Sequence, residues 1–322
     1  MKIFRGLAEY SKGSYPALTI GNFDGQHRGH IALLQKVVAA ASSVNGTACV
    51  LTFDPHPLRI LKPELDLRFL TSPDEKLAGF REVGIDEVIF LEFNTALAGL
   101  TPEEFVFKIL RDGIGAREVF VGEGFAFGKQ RTGCLADLQR LAPVGGFRVH
   151  PVPAVTIDGE VVSSSRIRRL IQAGKVKEAA RCLGRPYLLS GAVVSGQHRG
   201  RALGWPTANL ALPPGRVIPP DGVYAARARF RRDFHDAVAY IGTRPTFGAG
   251  ERLIEVYLLG QELDLYGGEL DVQFVEWLRG DMTFATAEEL SARIDHDVDM
   301  ARKSLRSSDH APMESRSLQR ER

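Results

Sequence analysis

Up to about Cys182 short apolar runs alternate with amphipathic stretches, and beyond it the rhythm changes. "ALTI" at 17–20, "TACVLTF" at 47–53, "EVIFLEF" at 87–93 and "EVFVG" at 118–122 are brief, rich in Val, Ile, Thr and Phe, and nearly free of polar interruption. Such runs predict strands buried on both faces of a sheet. Helix signals lie between them. Ser72, Pro73 and Glu75 read as N-cap, first-turn proline and capping-box glutamate, and Thr101, Pro102 and Glu104 repeat the pattern. "IALLQKVVAAA" starts a further helix near His30. Strand and helix in alternation predict an α/β, doubly wound parallel sheet, which binds ligands at the carboxyl ends of its strands near a topological switch point.

After "LGRPYLLSG" come "GVYAARARF", "DAVAYIG", "LIEVYLLG" and "ELDVQFVEWL", separated by Gly, Pro and Asp turns. Their period-two alternation and close spacing predict antiparallel strands of a small barrel. One helix follows, opened by Thr286 and Glu289, with Leu290, Ile294, Val298, Ala301 and Leu305 on one face. The pattern divides the chain into a domain at 1–184, a second at 185–306 and a polar tail at 307–322, expected to be disordered because it has nothing to bury.

Composition narrows the classes of function. A chain of 322 residues, 44% hydrophobic and 25% charged, can bury the cores of two domains. Its 41 basic and 39 acidic residues leave a formal net charge of +2, too even for a nucleic-acid or membrane footprint, so neither partner is expected. Small anionic ligands stay open. Cys49, Cys134 and Cys182 are odd in number and far apart, which suits reduced thiols better than disulfides or zinc. Lys2, Arg5 and Glu9 interrupt any leader-like apolar stretch, and no run approaches about 18 apolar residues, so a cytoplasmic protein is expected.

"GNFDGQHRGH" lies between a strand and a helix, where unpaired backbone amides and the helix dipole favour a phosphate. Gly21, Gly25 and Gly29 would let backbone approach a ligand, and His27 and His30 could face the same phosphate from one side. The same pair could also be two surface histidines at a helix cap. In "VSSSRIRRLIQAG", Ser165 could cap a helix and Arg168 offer a forked donor, or the segment could be a cap followed by a solvated basic face. "FDPHP" at 53–57 and "VGEGFAFGKQRTG" at 121–133 follow strands and are placed as substrate loops. Thr207 and Asn209 in "GWPTANL" offer neutral oxygens suited to a phosphate-bound Mg²⁺, and Glu255 in "LIEVYLL" is either a general base or a solvent-facing strand residue.

"HRGH" opening a helix, and "SSSRIRR" leading into another, resemble the two phosphate elements of the nucleotidylyltransferase superfamily. "GNFDGQHRGH", "TFDPHP", "SSSRIR", "LGWPTAN", "GTRPTF", "IEVYLL" and "DLYG" together resemble, in order and spacing, the bifunctional bacterial riboflavin kinase/FAD synthetase family from about Met1 to Leu305. The resemblance implies a nucleotidylyltransferase-type, Rossmann-like sheet followed by a six-stranded antiparallel riboflavin kinase barrel with a C-terminal helix. It also implies two ATP-dependent reactions, phosphorylation of riboflavin to FMN by the second domain and adenylylation of FMN to FAD, releasing pyrophosphate, by the first. Mg²⁺ would accompany the ATP. The implied partners are riboflavin, FMN and ATP, with at most a weak homo-oligomer.

Carried over by residue, the resemblance makes His27, His30, Arg168 and Glu255 catalytic. Gly21, Asn22, Phe23, Asp24, Gly29, Ser164, Ser165, Gly200, Thr207 and Asn209 would line ATP. Thr207 and Asn209 would meet the Mg²⁺, and Gly124, Phe125 and Arg279 the flavin. The family commonly has an acidic or amide residue where Gly124 stands, often a basic one at Ala126, and an aspartate at Gly260. The first departure bears on adenylylation. The readings left standing are a bifunctional enzyme, a riboflavin kinase with a weak or degenerate adenylylation domain, a flavin carrier without turnover, and another nucleotidylyltransferase with an unrelated barrel.

Overall fold

The computed structural model describes residues 1–194, 205–211, 214–243, 252–261, 263, 265 and 267–308. Backbone proximity divides them into two compact units, Met1–Ser163 and a second beginning at Ser164.

The first unit is a parallel sheet of β1 (Lys2–Arg5), β2 (Pro16–Ile20), β3 (Thr47–Asp54), β4 (Glu87–Glu92), β5 (Glu118–Gly122) and β8 (Arg148–Val152), in the order β1-β4-β3-β2-β5-β8. Two small ribbons, β6 (Ala126–Phe127) with β7 (Gly133–Cys134) and β9 (Thr156–Ile157) with β10 (Glu160–Val161), complete its strands. From β2 the chain moves outward through β3 and β4, then crosses to β5 and β8 on the other side, so the switch point lies between β2 and β5. The turns after those two strands are "GNFDGQHRGH" and "GEGFAFG".

Strand alternation builds two cores. Leu18, Ile20, Leu51, Ile89 and Val119 face one side and pack with residues 105–114 and with Leu138 and Leu141 of α6 (Leu135–Gly145). Ala17, Val50, Val88 and Phe120 face the other, against Leu34 and Val37 of α1 (Arg28–Ser43) and Phe80 of α3 (Pro73–Val83). Shorter helices are α2 (Pro57–Leu61), α4 (Thr95–Ala98) and α5 (Pro102–Glu104). Both capping boxes form as the sequence predicts, at Ser72/Glu75 and Thr101/Glu104. After α5 the chain winds as a π-helix over Phe105–Ile114. It buries Phe105, Val106, Ile109, Leu110 and Ile114 against the sheet.

Strand β1 is absent from the sequence reading, because "KIFR" is short and carries charge at both ends; it pairs in parallel with β4 at the sheet edge. At the other edge Glu118 accepts from Tyr15 (2.8 Å), His150 (2.6 Å) and Arg148. Burial works against the carboxylate, but these donors hold its pKa down to about 2.

The second unit starts with α7 (Ser164–Gln172) and α8 (Val176–Leu183), earlier than the 184/185 boundary read from the sequence. Both helices cluster with the barrel: α8 packs on the first and last barrel strands, and Lys177 pairs with Glu276 at 3.5 Å. The barrel is closed, six-stranded and antiparallel: β11 (Tyr187–Val194), β12 (Thr207–Ala211), β13 (Gly222–Phe230), β14 (Asp233–Thr243), β15 (Arg252–Leu258) and β16 (Glu269–Arg279) in the order β11-β12-β15-β14-β13-β16. Register shifts along β13 and β16 help it curve. Helix α9 (Ala287–Ser308) buries Val298, Ala301 and Leu305. It runs two residues into the expected tail, with the Ser307 hydroxyl bonded back to the Ser304 carbonyl at 2.7 Å. The rest of that tail lies outside the described residues.

Candidate functional site

His27 is the N-cap of α1, and its Nδ1 accepts from the His30 amide at 3.3 Å. This hydrogen bond fixes one ring above the other: the imidazoles stack with centroids 3.7 Å apart and planes 17° from parallel. Phe23 lies beneath them, edge-on to His30 at 5.2 Å and to Phe80 at 5.4 Å. It is 1% exposed and belongs to the core that supports the site, rather than to the surface that would touch nucleotide.

The glycines act differently from the expectation. A Cβ at Gly29 would press on the His27 ring at 3.3 Å, and one at Gly21 on the Phe23 ring at 3.2 Å. They make room for side chains of the turn itself. Gly25 has φ +83°, where a side chain is strained.

Asp24 is 2% exposed and accepts from the Leu70 and Thr71 amides and the Thr71 hydroxyl, at 3.0 to 3.2 Å. The Gly25 amide donates to the same hydroxyl at 3.1 Å. Asp24, carried over as a nucleotide ligand, is therefore occupied in clamping the turn to the loop before α3. Gln26 adds a second tie, its Nε2 donating to the Lys76 carbonyl at 2.9 Å.

Two polar atoms of the turn, Asn22 Oδ1 and His30 Nδ1, are buried with no partner among the described residues. Each such atom costs about 1–3 kcal/mol, and a site that keeps two of them is built for a polar guest. Burial, then His27, then Lys76 drive the His30 pKa well below the usual imidazole value, so the ring is neutral at pH 7 and retains one N–H to donate.

Ser164, Ser165 and Arg168 sit in the first turns of α7. The helix starts at Ser164, so the capping position falls on Ser163 and Ser165 is the second helical residue, a correction that the run of three serines could not settle from sequence. Arg168 lies one turn further on, half-buried. In the loop after β5, Gly124 is exposed, has no neighbour within 4 Å of a built Cβ and avoids positive φ. Phe125 stacks on Phe127, centroids 5.4 Å apart.

On the barrel, β12 and β15 pair so that Asn209 faces Glu255 across the ladder and Thr207 faces Tyr257. The Thr207 hydroxyl donates to Glu255 Oε2 at 3.3 Å, and Asn209 is only 5% exposed. Ile254, Val256 and Leu258 turn into the core, which leaves Glu255 on the outer face, half-buried. Tyr240 of β14 flanks it on the other side. The Tyr240 hydroxyl donates to Asp281 at 3.1 Å, and burial with the nearby carboxylates pushes its pKa up to about 12. Trp205 meets Tyr257 edge-on at 5.1 Å. Arg279 is bound to Asp297 of α9 through Nε (2.9 Å) and Nη2 (2.7 Å), and donates to the Gly280 carbonyl at 2.9 Å. Asp297 also takes Arg293 at 3.1 Å. Gly200 lies outside the described residues. Tyr240 and Asp281 escaped the sequence reading because Tyr240 comes beside Glu255 only through the ladder register, and Asp281 is tied in only through the Tyr240 hydroxyl.

Among the described residues no group of three His, Cys, Asp or Glu side chains could hold a metal ion. The donors at Thr207 and Asn209 are neutral oxygens, a set that fits a hard cation arriving with phosphate oxygens.

A phosphate-accepting turn at the switch point of a parallel sheet, joined in one chain to a barrel that sets a carboxylate beside neutral oxygens, defines a nucleotide-using transferase of two parts. The family model for FAD synthetase matches residues 11–166, and that for riboflavin kinase residues 183–305. The chain belongs to the bifunctional riboflavin kinase/FMN adenylyltransferase family. The protein so described from Pseudomonas fluorescens is 40% identical over 88% of this chain and 91% of its own length. The one from Escherichia coli K12 is 35% identical over 94% and 97%. A crystal structure described as a macrolide-efflux protein from Streptococcus pneumoniae superposes with a TM-score of 0.86, at 30% identity over 94% of this chain and 99% of that one. The efflux description belongs to that protein; among the described residues here no helix is long and apolar enough to cross a membrane.

Proposed function

We propose that the second domain transfers the γ-phosphate of ATP to riboflavin and that the first transfers AMP from a second ATP to the resulting FMN, in the cytoplasm. In the barrel, Glu255 is the general base that takes the proton of the ribityl 5′-hydroxyl. Thr207 holds the carboxylate on the outer face until substrate displaces its hydroxyl. Thr207 and Asn209 would hold the Mg²⁺, which supplies charge neutralisation of the ATP phosphates when bound. Arg279 acts as a positioning residue, since its guanidinium is already engaged by Asp297.

In the first domain an FMN phosphate oxygen bonds to the α-phosphorus as its bond to the pyrophosphate oxygen breaks. The α1 N-terminus and the neutral His30 ring meet the charge that gathers on the α-phosphate. His27 acts partly through His30, by fixing its ring. The family resemblance assigns Ser164, Ser165 and Arg168 to the departing pyrophosphate.

The observation that carries the reading is the stacked His27–His30 pair with its unpartnered buried ring nitrogen, in a chain that also sets Glu255 beside Thr207 and Asn209. Incubation with riboflavin, ATP and Mg²⁺, followed by chromatography, should yield FMN and FAD. FMN alone would point to a degenerate first domain, and unchanged riboflavin to a carrier.

A further inference from the structure

Lys76 and Gly79 lie one turn apart on α3, on the same face. Gly79 meets the β2–α1 turn directly: a Cβ built there would collide with the carboxamide of Gln26, the side chain that also donates to the Lys76 carbonyl. The N-terminal half of α3 is thus seated on the histidine turn with Lys76 on the contacting face.

Helix position and burial both make this a poor place for a cation. The residue sits in the first turn of a helix, where the dipole already contributes roughly half a positive charge. Its side chain is half-buried, and its ammonium has no ion pair or hydrogen bond among the described residues. Asp24 and Asp54 lie near enough to favour its charge, yet burial outweighs them and lowers its pKa. Asp24 is already committed to Leu70 and Thr71. Lys76 is also close enough to His30 to oppose protonation of that ring. A cation without an ion-pair partner beside a neutral imidazole whose N–H can donate is complementary to an anion.

We propose that Lys76 is a catalytic residue of FMN adenylylation, its ammonium contacting the α-phosphate of ATP together with His30. The proposal rests on the adenylylation reading of this site. When the FMN oxygen–phosphorus bond forms and the bond to pyrophosphate breaks, no proton moves, and charge builds on the phosphoryl and leaving oxygens. A fixed ammonium there gains most in the transition state, so its loss should fall on kcat more than on the KM for FMN.

The test compares the full-length parent with Lys76→Met, Lys76→Gln and Lys76→Arg, assaying FAD from supplied FMN and, separately, FMN from riboflavin. Both neutral variants should lose roughly 10²-fold or more in kcat for FAD formation, Lys76→Arg should recover part of it, and riboflavin phosphorylation should be unchanged. A neutral variant within about threefold of the parent overturns the proposal, as does equal loss in Lys76→Arg and Lys76→Met. In the parent, acetic anhydride labelling of Lys76, read by peptide mass spectrometry, should be suppressed by α,β-methylene-ATP with Mg²⁺; undiminished labelling also overturns it, whether or not the variants fold. A parent that makes no FAD from FMN removes the adenylylation reading itself, a result seen before any variant is made.

Discussion

The two candidate sites arrange their polar groups in opposite ways. In the first unit two polar atoms, Asn22 Oδ1 and His30 Nδ1, have no partner among the described residues, and the turn that carries them is clamped by Asp24 and Gln26. On the barrel the candidate groups are already satisfied by one another, Thr207 by Glu255 and Arg279 by Asp297. The first arrangement keeps desolvated polar atoms ready for a ligand, and that readiness lowers the stability of the empty protein. The second is stable when empty and must exchange partners as substrate enters. A rigid turn suits a reaction whose charge is stabilised by fixed dipoles, whereas a base that moves a proton tolerates a partner that yields.

This contrast can be broken most forcefully at Glu255. Glu255→Gln should lower riboflavin phosphorylation roughly 10²- to 10⁴-fold while supplied FMN still becomes FAD. A variant phosphorylating at the parental rate would make Glu255 an ordinary outward strand residue. The converse change, His30→Ala, should cost about 2.7–4 kcal/mol of transition-state stabilisation in FAD formation and spare FMN formation. Equal loss of both activities in a folded variant would contradict the division of labour.

Asp24→Ala probes the clamp. It removes the acceptor for two amides and a hydroxyl, so denaturant titration should find the first unit weakened by about 1.5–3 kcal/mol, with FAD formation reduced as the turn loosens. Unchanged stability with reduced activity would instead make Asp24 a direct nucleotide ligand. Gly124→Asp enters open space at an unstrained position and should raise kcat/KM for FMN several-fold by restoring a polar anchor. A fall in that ratio, with the fold intact, would refute the anchor.

The smallest effect lies at the sheet edge, away from either site. Glu118 has a folded pKa of about 2 against an ordinary 4.5, so its contribution to stability is full above about pH 4.5 and is lost as the pH falls toward 2. Glu118→Gln should therefore flatten the decline of Tm over that acid range and leave both activities at neutral pH untouched. A parent and variant with parallel acid profiles would show that the Arg148 and His150 contacts carry no net stability.

Most of the framework was legible because it is written locally. Ser72 and Thr101 cap as read, "ALTI" and "EVFVG" are buried strands, and the spacing of the later strands produces a closed barrel. What escaped depends on distant pairs or on choices between identical neighbours. Asp24 meets Leu70 across 46 residues, and no pattern near either predicts it. The start of α7 falls among three serines, any of which could cap. Histidine spacing pointed to the turn between β2 and α1, but the packing of Gly21 and Gly29 depended on which way Phe23 and His27 turn.

Gly79 has a consequence for anyone who breeds or engineers this protein. A buried glycine inside a helix is a usual target for stabilisation by alanine, worth about 0.5–1 kcal/mol in helix propensity. Here the added methyl group would evict Gln26 from its seat. Gly79→Ala would then mark out a position where a heritable gain in robustness is closed off, because the improvement meant for one helix would be levied on the histidine turn beside it.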